Sequence, residues 1–478
     1  MGRSKRKRYG HDKDVYIIPP YNEATAAACL ERDGSAAPTI VDCQLENLDI
    51  PELIDIVAQE DYDTISARLS FPCLKEDLEI FHHLRNVAKN SILVGWGPMC
   101  RVQPEKILRS SAIDVVIQGD FVDLFPIMVK EVSNSNEFKE APGITYLAGK
   151  ELITNPEPPL PESLDHQPFP AYHLTKYRSY LDTSSSRHFA VENGAAPFLA
   201  VLASKGCSYK CPYCPYPIGF GEQWRSKSIH RVVDELEFLA KKYSIRRFWF
   251  RDQTWNANIK RAEVICEEII ARDLQIHWRA ELRADRVTEQ LAFLMKRSGC
   301  ILAQCGLETA NPTLLRAFAK PTAPAKKLIN GYKFLKKAQV NLLIDVIVGW
   351  PGETWDSIKQ TYRFLKVFKP NAVLASILIP FPGTKFYDQA REQGWIFDEN
   401  PLHYNGYTPV LRYPDLEPEE IMARRRFLLD YSKPSRKLKA LLDAFRSRDA
   451  YTLTSLLKQG IAQRKDYLAR FLNIYRNM

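Results

Sequence analysis

Lys205 to Pro217 reads KGCSYKCPYCPYP, and its cysteines Cys207, Cys211 and Cys214 stand at the spacing C-x-x-x-C-x-x-C. The stretch follows FLAVLAS, from Phe198, an apolar run of strand length and composition. Three thiolates this close in sequence can each take one iron of a cubane cluster and leave the fourth iron without a protein ligand. An iron open in that way is a place for chemistry. The competing readings are a zinc site or chance clustering, but a closed zinc site takes four ligands, and Cys266, Cys300 and Cys305 lack a pairing at zinc-finger spacing.

Working outward, FLAVLAS is the first of six strand candidates. The others are RRFWFRD from Arg246, QIHWRAEL from Gln275, ILAQCGLE from Ile301, NLLIDVIVGW from Asn341 and AVLASILIP from Ala372. Amphipathic stretches separate them at Arg231 to Tyr243, Lys260 to Arg272, Thr288 to Ser298, Lys326 to Ala338 and Trp355 to Phe368. Right-handed crossovers would curl six such units into a partial TIM barrel, (βα)6, over residues 196–400, with functional loops at the carboxyl ends of its strands.

Upstream, residues 1–150 alternate short apolar runs with helical stretches, an α/β pattern that predicts a doubly wound, Rossmann-like parallel sheet. The runs are DVYIIP from Asp14, APTIVDCQL from Ala37, YDTISARLS from Tyr62, SILVGW from Ser91 and IDVVIQGD from Ile113, with helices expected at Pro51 to Gln59 and Leu74 to Val87. A proline-rich linker follows over 151–195. Beyond residue 400 the strand rhythm stops, and Glu417 to Tyr431, Ser435 to Arg448 and Tyr451 to Tyr475 read as a helical cap, 401–478.

Composition narrows the class. Of 478 residues, 45% are hydrophobic and 26% charged, as in ordinary globular proteins. No run approaches the ~20 apolar residues of a spanning helix, and no apolar signal segment follows the basic cluster Arg3 to Arg8. The net charge of +9 comes from scattered residues, a weak footprint for nucleic acid. Ten cysteines, seven of them isolated, argue against a disulfide scaffold and for a reducing, cytoplasmic setting.

These residues resemble the radical S-adenosylmethionine (SAM) superfamily, whose members bind SAM on the open iron of a [4Fe-4S] cluster and cleave it to a 5′-deoxyadenosyl radical. The resemblance implies that Tyr213, before the third cysteine, lies by the adenine. CGLETANP makes Glu308 a polar contact to SAM; IVGWPGE places Gly349 for close backbone approach, followed by Glu353. Arg279 and Arg283 in WRAELRAD could clamp the SAM carboxylate or belong, with Glu281, to a structural ion network. Where many members carry Gly-Gly-Glu after the second strand, this chain has FRDQTW, and Asp252 becomes the candidate for the SAM amino group. IPFPGT, Ile379 to Thr384, fits the sixth-strand turn of a subgroup with an N-terminal cobalamin domain.

That subgroup, the cobalamin-dependent class B enzymes, is also resembled by GWGPMCRVQPEKIL from Gly95 and LDHQPFPAYHL from Leu164. Gly95 and Gly97 would then let backbone approach the corrinoid tail, and Pro20, Ser70 and Phe71 would border the corrin. The chain has no D-x-H-x-x-G motif, so no histidine ligand to cobalt is expected; a domain that has lost cobalamin is the alternative.

The resemblance implies methyl transfer to an unactivated carbon of a small-molecule or natural-product-type substrate, with an electron donor such as a flavodoxin or ferredoxin. Competing readings are a rearrangement, cyclisation or oxidation with the same cofactors, and a non-catalytic corrinoid carrier. A methylthiotransferase fits poorly, because Cys29, Cys43, Cys73 and Cys100 do not form the extra triad of that class. Tyr404 and Tyr407 are open to either a cavity or a core role. No general acid or base stands out.

Overall fold

A computed structural model describes residues 17–135, 137–181, 196–320 and 325–430. The N-terminal sheet has five strands in the order β1 (Thr64–Arg68), β2 (Ile92–Trp96), β3 (Val115–Ile117), β4 (Ile144–Ala148) and β5 (Glu151–Thr154). The first three are parallel; β4 and β5 run antiparallel. Helices α1 (Tyr21–Asp33), α2 (Ile50–Val57), α3 (Leu74–Val87), α4 (Pro104–Ser110) and α5 (Phe121–Ser135) surround it.

Two of the five expected strands are not strands over their described residues. Residues 17–20, the end of DVYIIP and the following Pro20, lead straight into α1, because Pro19 and Pro20 remove ladder donors and Pro20 occupies the position before the helix. In APTIVDCQL, Asp42 accepts the amides of Gln44 and Leu45, each at 3.0 Å, and turns the chain into a short helix, Cys43–Glu46. Residues 18–20 and 37–44 instead line a cavity together with the carboxyl ends of β1 and β2. The missing places are taken by the β4–β5 hairpin, so the sheet extends past residue 150 into the expected linker.

Residues 199–377 form six parallel strands in sequential order: β6 (Leu199–Val201), β7 (Arg247–Phe250), β8 (His277–Leu282), β9 (Cys300–Glu308), β10 (Asn341–Val348) and β11 (Ala372–Ile377). The intervening helices are α6 (Ile229–Tyr243), α7 (Ile259–Ala271), α8 (Glu289–Arg297), α9 (Ala325–Lys337) and α10 (Trp355–Phe368). Ser228, Asn258, Thr288 and Thr354 each cap the helix that follows, which is why these loops end where they do. The end strands β6 and β11 do not pair, so the barrel is open. After it come α11 (Lys385–Glu392) and α12 (Pro418–Leu429); the expected helices beyond residue 430 lie outside the described residues.

The alanine-rich α1 joins the two layers. Tyr21 and Ala24 belong to the barrel core, while Ala26 and Leu30 belong to the core of the N-terminal sheet. Small side chains let the helix pack closely on both sides. The linker is pinned as well: Ala171 N donates to Ala24 O at 2.9 Å, Leu164 N to Ser226 O at 3.1 Å, and the Tyr172 hydroxyl to Ala200 O at 2.7 Å. Among the described residues, no helix is long and apolar enough to cross a membrane.

Candidate functional site

A cavity of about 1710 Å³ lies between the carboxyl ends of the two sheets. Cys207, Cys211 and Cys214 line it from the barrel side, and Pro20, Ser66, Arg68 and Ser70 from the other. That exceeds the ~300–1,000 Å³ of an ordinary small-molecule pocket, so the space suits more than one ligand.

The cysteine loop rises from a two-residue antiparallel ladder in which Ser204 and Lys205 pair with Arg225 and Ser226. Gly206 has φ +82, and a Cβ there would overlap the Gln223 carbonyl, so only glycine fits this exit. Cys207 N donates to Gly221 O at 3.2 Å and Cys214 N to Cys211 O at 3.1 Å, which curls the loop back on itself. All three cysteines are partly buried, and all ten in the chain are free thiols. Among the described residues no group of three His, Cys, Asp or Glu converges on a single metal ion. A cubane makes a different demand, one thiolate per iron. Burial pushes the Cys214 thiol up to about 12, so iron binding there must displace a proton.

Tyr213 and Glu308 come together. Glu308 ends β9 with φ +62, beside a register shift between Gly306 and Glu308; a non-glycine residue held in this region is a local strain that the surroundings must enforce. Lys320 does so, pairing with the Glu308 carboxylate at 3.1 Å and also donating to Gly306 O. Burial, then the nearby Glu308 charge, raises the Tyr213 hydroxyl well above its usual range. Tyr213 meets Trp350 edge-on at 5.3 Å, and Tyr213, Glu308 and Lys320 all line the cavity. Arg283 lines it too, but its guanidinium pairs with Asp285 at 3.0 and 3.1 Å and lies 3.8 Å from the Tyr209 ring. It braces the cysteine loop.

Other expected contacts fall elsewhere. Asp252 is fully buried, accepting Ala203 N at 3.0 Å and Ser204 Oγ at 2.6 Å, and burial raises its carboxyl. It ties the ladder to β7 and is not among the cavity-lining residues. Arg279 stacks 3.7 Å over Trp249, nearer the amino end of β8. Gly349 packs against Ile421 of α12, with its amide 3.2 Å from the Glu353 carboxylate; Glu353 in turn pairs with Arg424 at 3.4 Å. These two therefore dock α12. On the N-terminal side Pro20 and Ser70 line the cavity, whereas Phe71 packs edge-on against Tyr404, itself a cavity residue, at 4.8 Å. Gly95 is enclosed by Leu69, Ile113 and Val116; Gly97, at φ +109, passes so close to the Leu69 carbonyl that a side chain would collide, and lines a small adjoining pocket. Tyr407 does not line the cavity.

The expectations missed the parity of FRDQTW. Arg251 and Gln253, either side of Asp252, face the cavity. Arg251, which the expected Arg279–Glu281–Arg283 network did not include, donates to Glu281 at 2.6 Å. Both amide atoms of Gln253 are buried without a partner. Deeper in, Gln304 donates to the Asp345 carboxyl at 3.0 Å. NLLIDVIVGW carried the signal for Asp345, an acidic residue inside an otherwise apolar strand.

Residues 201–365 match the model of the radical SAM superfamily. The chain is 27% identical over 428 residues to an uncharacterised methyltransferase of Pyrococcus horikoshii, an alignment covering 89% of this chain and 90% of that one. It is 23% identical over 412 residues to an anaerobic magnesium-protoporphyrin IX monomethyl ester cyclase of Cereibacter sphaeroides, covering 84% and 65% respectively. Among solved structures it resembles the radical SAM methyltransferase TsrM of Kitasatospora setae, with cobalamin and a [4Fe-4S] cluster bound. The TM-score is 0.70 at 16% identity, over 93% of this chain and 97% of that one. This last likeness is one of fold.

Proposed function

For a chain with a radical SAM domain at residues 201–365, we propose a cobalamin-dependent radical SAM enzyme that transfers a methyl group to an unactivated carbon of a small molecule. One observation carries this reading: a single cavity is lined both by the cysteine triad and by the carboxyl ends of a parallel sheet. Ligands of open α/β sheets bind at those ends. The names of the relatives support it, a methyltransferase over nearly the whole chain and a cobalamin-bound methyltransferase of the same fold.

The residues fit the groups. Cys207, Cys211 and Cys214 would hold the cluster. Tyr213, Glu308 and the unpartnered Gln253 amide would meet SAM, while Pro20, Ser70 and the Gly97 turn would border a corrinoid. No histidine lines the cavity among the described residues. When bound, these groups supply a hydrogen-abstracting radical and a transferable methyl group. The protein fixes their spacing and keeps water away from the reacting carbon. Arg283 holds the cysteine loop through Tyr209, Lys320 holds Glu308, and α1 with the pinned linker holds one sheet over the other. Electrons would come from a flavodoxin or ferredoxin, and ten free thiols suit a cytoplasmic enzyme.

Anaerobic reconstitution tests the reading. About four irons per chain are expected, with 5′-deoxyadenosine formed from SAM under a low-potential reductant. The triple Cys207→Ala, Cys211→Ala, Cys214→Ala variant should hold no iron. Iron retained by that variant, or none in the parent, refutes the assignment. The cyclase relative favours a second reading, ring formation with the same cofactors. Product mass separates them, since methyl transfer adds about 14 Da and yields S-adenosylhomocysteine as well.

A further inference from the structure

The barrel half of the cavity carries three cations, Arg251, Arg283 and Lys320, and each already faces a carboxylate. Arg251 is 2.6 Å from Glu281, Lys320 is 3.1 Å from Glu308, and Arg283 is 3.0 Å from Asp285. Among the described residues of the barrel wall, none of these cations is spare for an anionic substrate. The acidic group left over is Asp345. It lies at the level of Gly306 on the neighbouring strand, one oxygen taking the Gln304 amide and the other buried without a partner.

We propose that this cavity receives an amine-bearing substrate, with the ammonium group anchored on the Asp345 carboxyl and substrates anionic in their buried part disfavoured. This deepens the reading of the site given above and rests on it. An unpaired carboxyl in a low-dielectric site is stabilised by a cation brought in with the ligand, and destabilised by another anion. Burial holds the Asp345 carboxyl up at about 8; the Gln304 amide and Lys320 oppose that rise, while Glu308 and Glu281 add to it. At pH 7 the group is therefore mostly protonated, and docking of an ammonium ion expels its proton.

Three matched probes test this on the reconstituted, SAM-loaded protein: phenethylamine, phenethyl alcohol and phenylacetate. Calorimetry at pH 7, in two buffers of different ionisation enthalpy, reads affinity and proton release together. The amine is expected to bind at least ~10-fold tighter than either analogue, with release of up to about one proton. Asp345→Asn should lose both the preference and the proton. Phenylacetate or the alcohol binding as well as the amine overturns the proposal, as does an amine that fails to bind or an unaltered Asp345→Asn variant. Iron content is measured in parallel: amine preference without iron sinks the radical reading alone, and iron with SAM cleavage but no amine preference sinks the substrate inference alone.

Discussion

Lys205 Nζ sits 3.0 Å from Asp120 Oδ1, an ion pair between the root of the cysteine loop and the carboxyl end of β3 in the other sheet. Arg225, across the ladder from Lys205, reaches the second Asp120 oxygen at 3.2 Å, and both cations are buried. Removing Asp120 would strand them. Asp120→Ala should cost about 3–5 kcal/mol of stability in denaturant unfolding, because a buried charge without its partner is far worse than the pair. Burial alone would raise the Asp120 carboxyl, but Lys205 and Arg225 outweigh it and hold it below 3.8. Its contribution is therefore complete above the usual aspartate range and disappears as pH falls through the lowered value.

Gly206→Ala should deplete the cluster. The added methyl group meets the Gln223 carbonyl at a backbone angle that alanine rarely adopts, a strain of about 1–3 kcal/mol placed next to Cys207. Iron per chain after reconstitution measures it. Retention of full occupancy would show that the loop yields without moving its thiols.

Asp252→Asn should lower stability and leave SAM affinity within about twofold, since the carboxylate holds Ala203 N and Ser204 Oγ and does not line the cavity. Gln253→Ala should do the reverse, weakening SAM binding with little change in melting temperature. Equilibrium dialysis with SAM, paired with thermal unfolding, distinguishes the two neighbours.

Glu353 makes α12 sensitive to a rise in pH from acid to neutral. Burial raises its carboxyl from 4.5 to about 7, against the opposing pull of the Gly349 amide and of Arg424. A raised acid stabilises the fold below its unfolded value, and that contribution is lost as pH rises through the folded one. Stability should therefore fall between about pH 4.5 and 7 on this account, and Glu353→Gln should flatten that slope in a series of thermal melts.

Most of the barrel was legible because its strands lie in apolar runs and four of the helices between them open on a capping residue, as with NLLIDVIVGW before Thr354 and Trp355. The cysteine triad was legible because its spacing is local. APTIVDCQL and the described end of DVYIIP misled because their apolar residues are those of a strand, while Pro20 and the Asp42 cap decide the backbone. Asp252, Gly349 and Glu353 sit where the family pattern directs attention, yet what each touches depends on Ser204, Ile421 and Arg424, partners far away in sequence. No spacing rule encodes such meetings. Alternation within a strand would have separated Arg251 and Gln253 from Asp252, and that clue was local.

The linker that runs under α1 is tied down at Leu164, Ala171 and Tyr172. A slack tether would leave the halves to search for each other in every catalytic cycle, at an entropic cost renewed each time. A strap bonded at these three points makes that search once, during folding. The gap between the proposed methyl donor and the proposed radical source is thus inherited from the tertiary structure, and loosening the strap should harm turnover before it harms the affinity of either half.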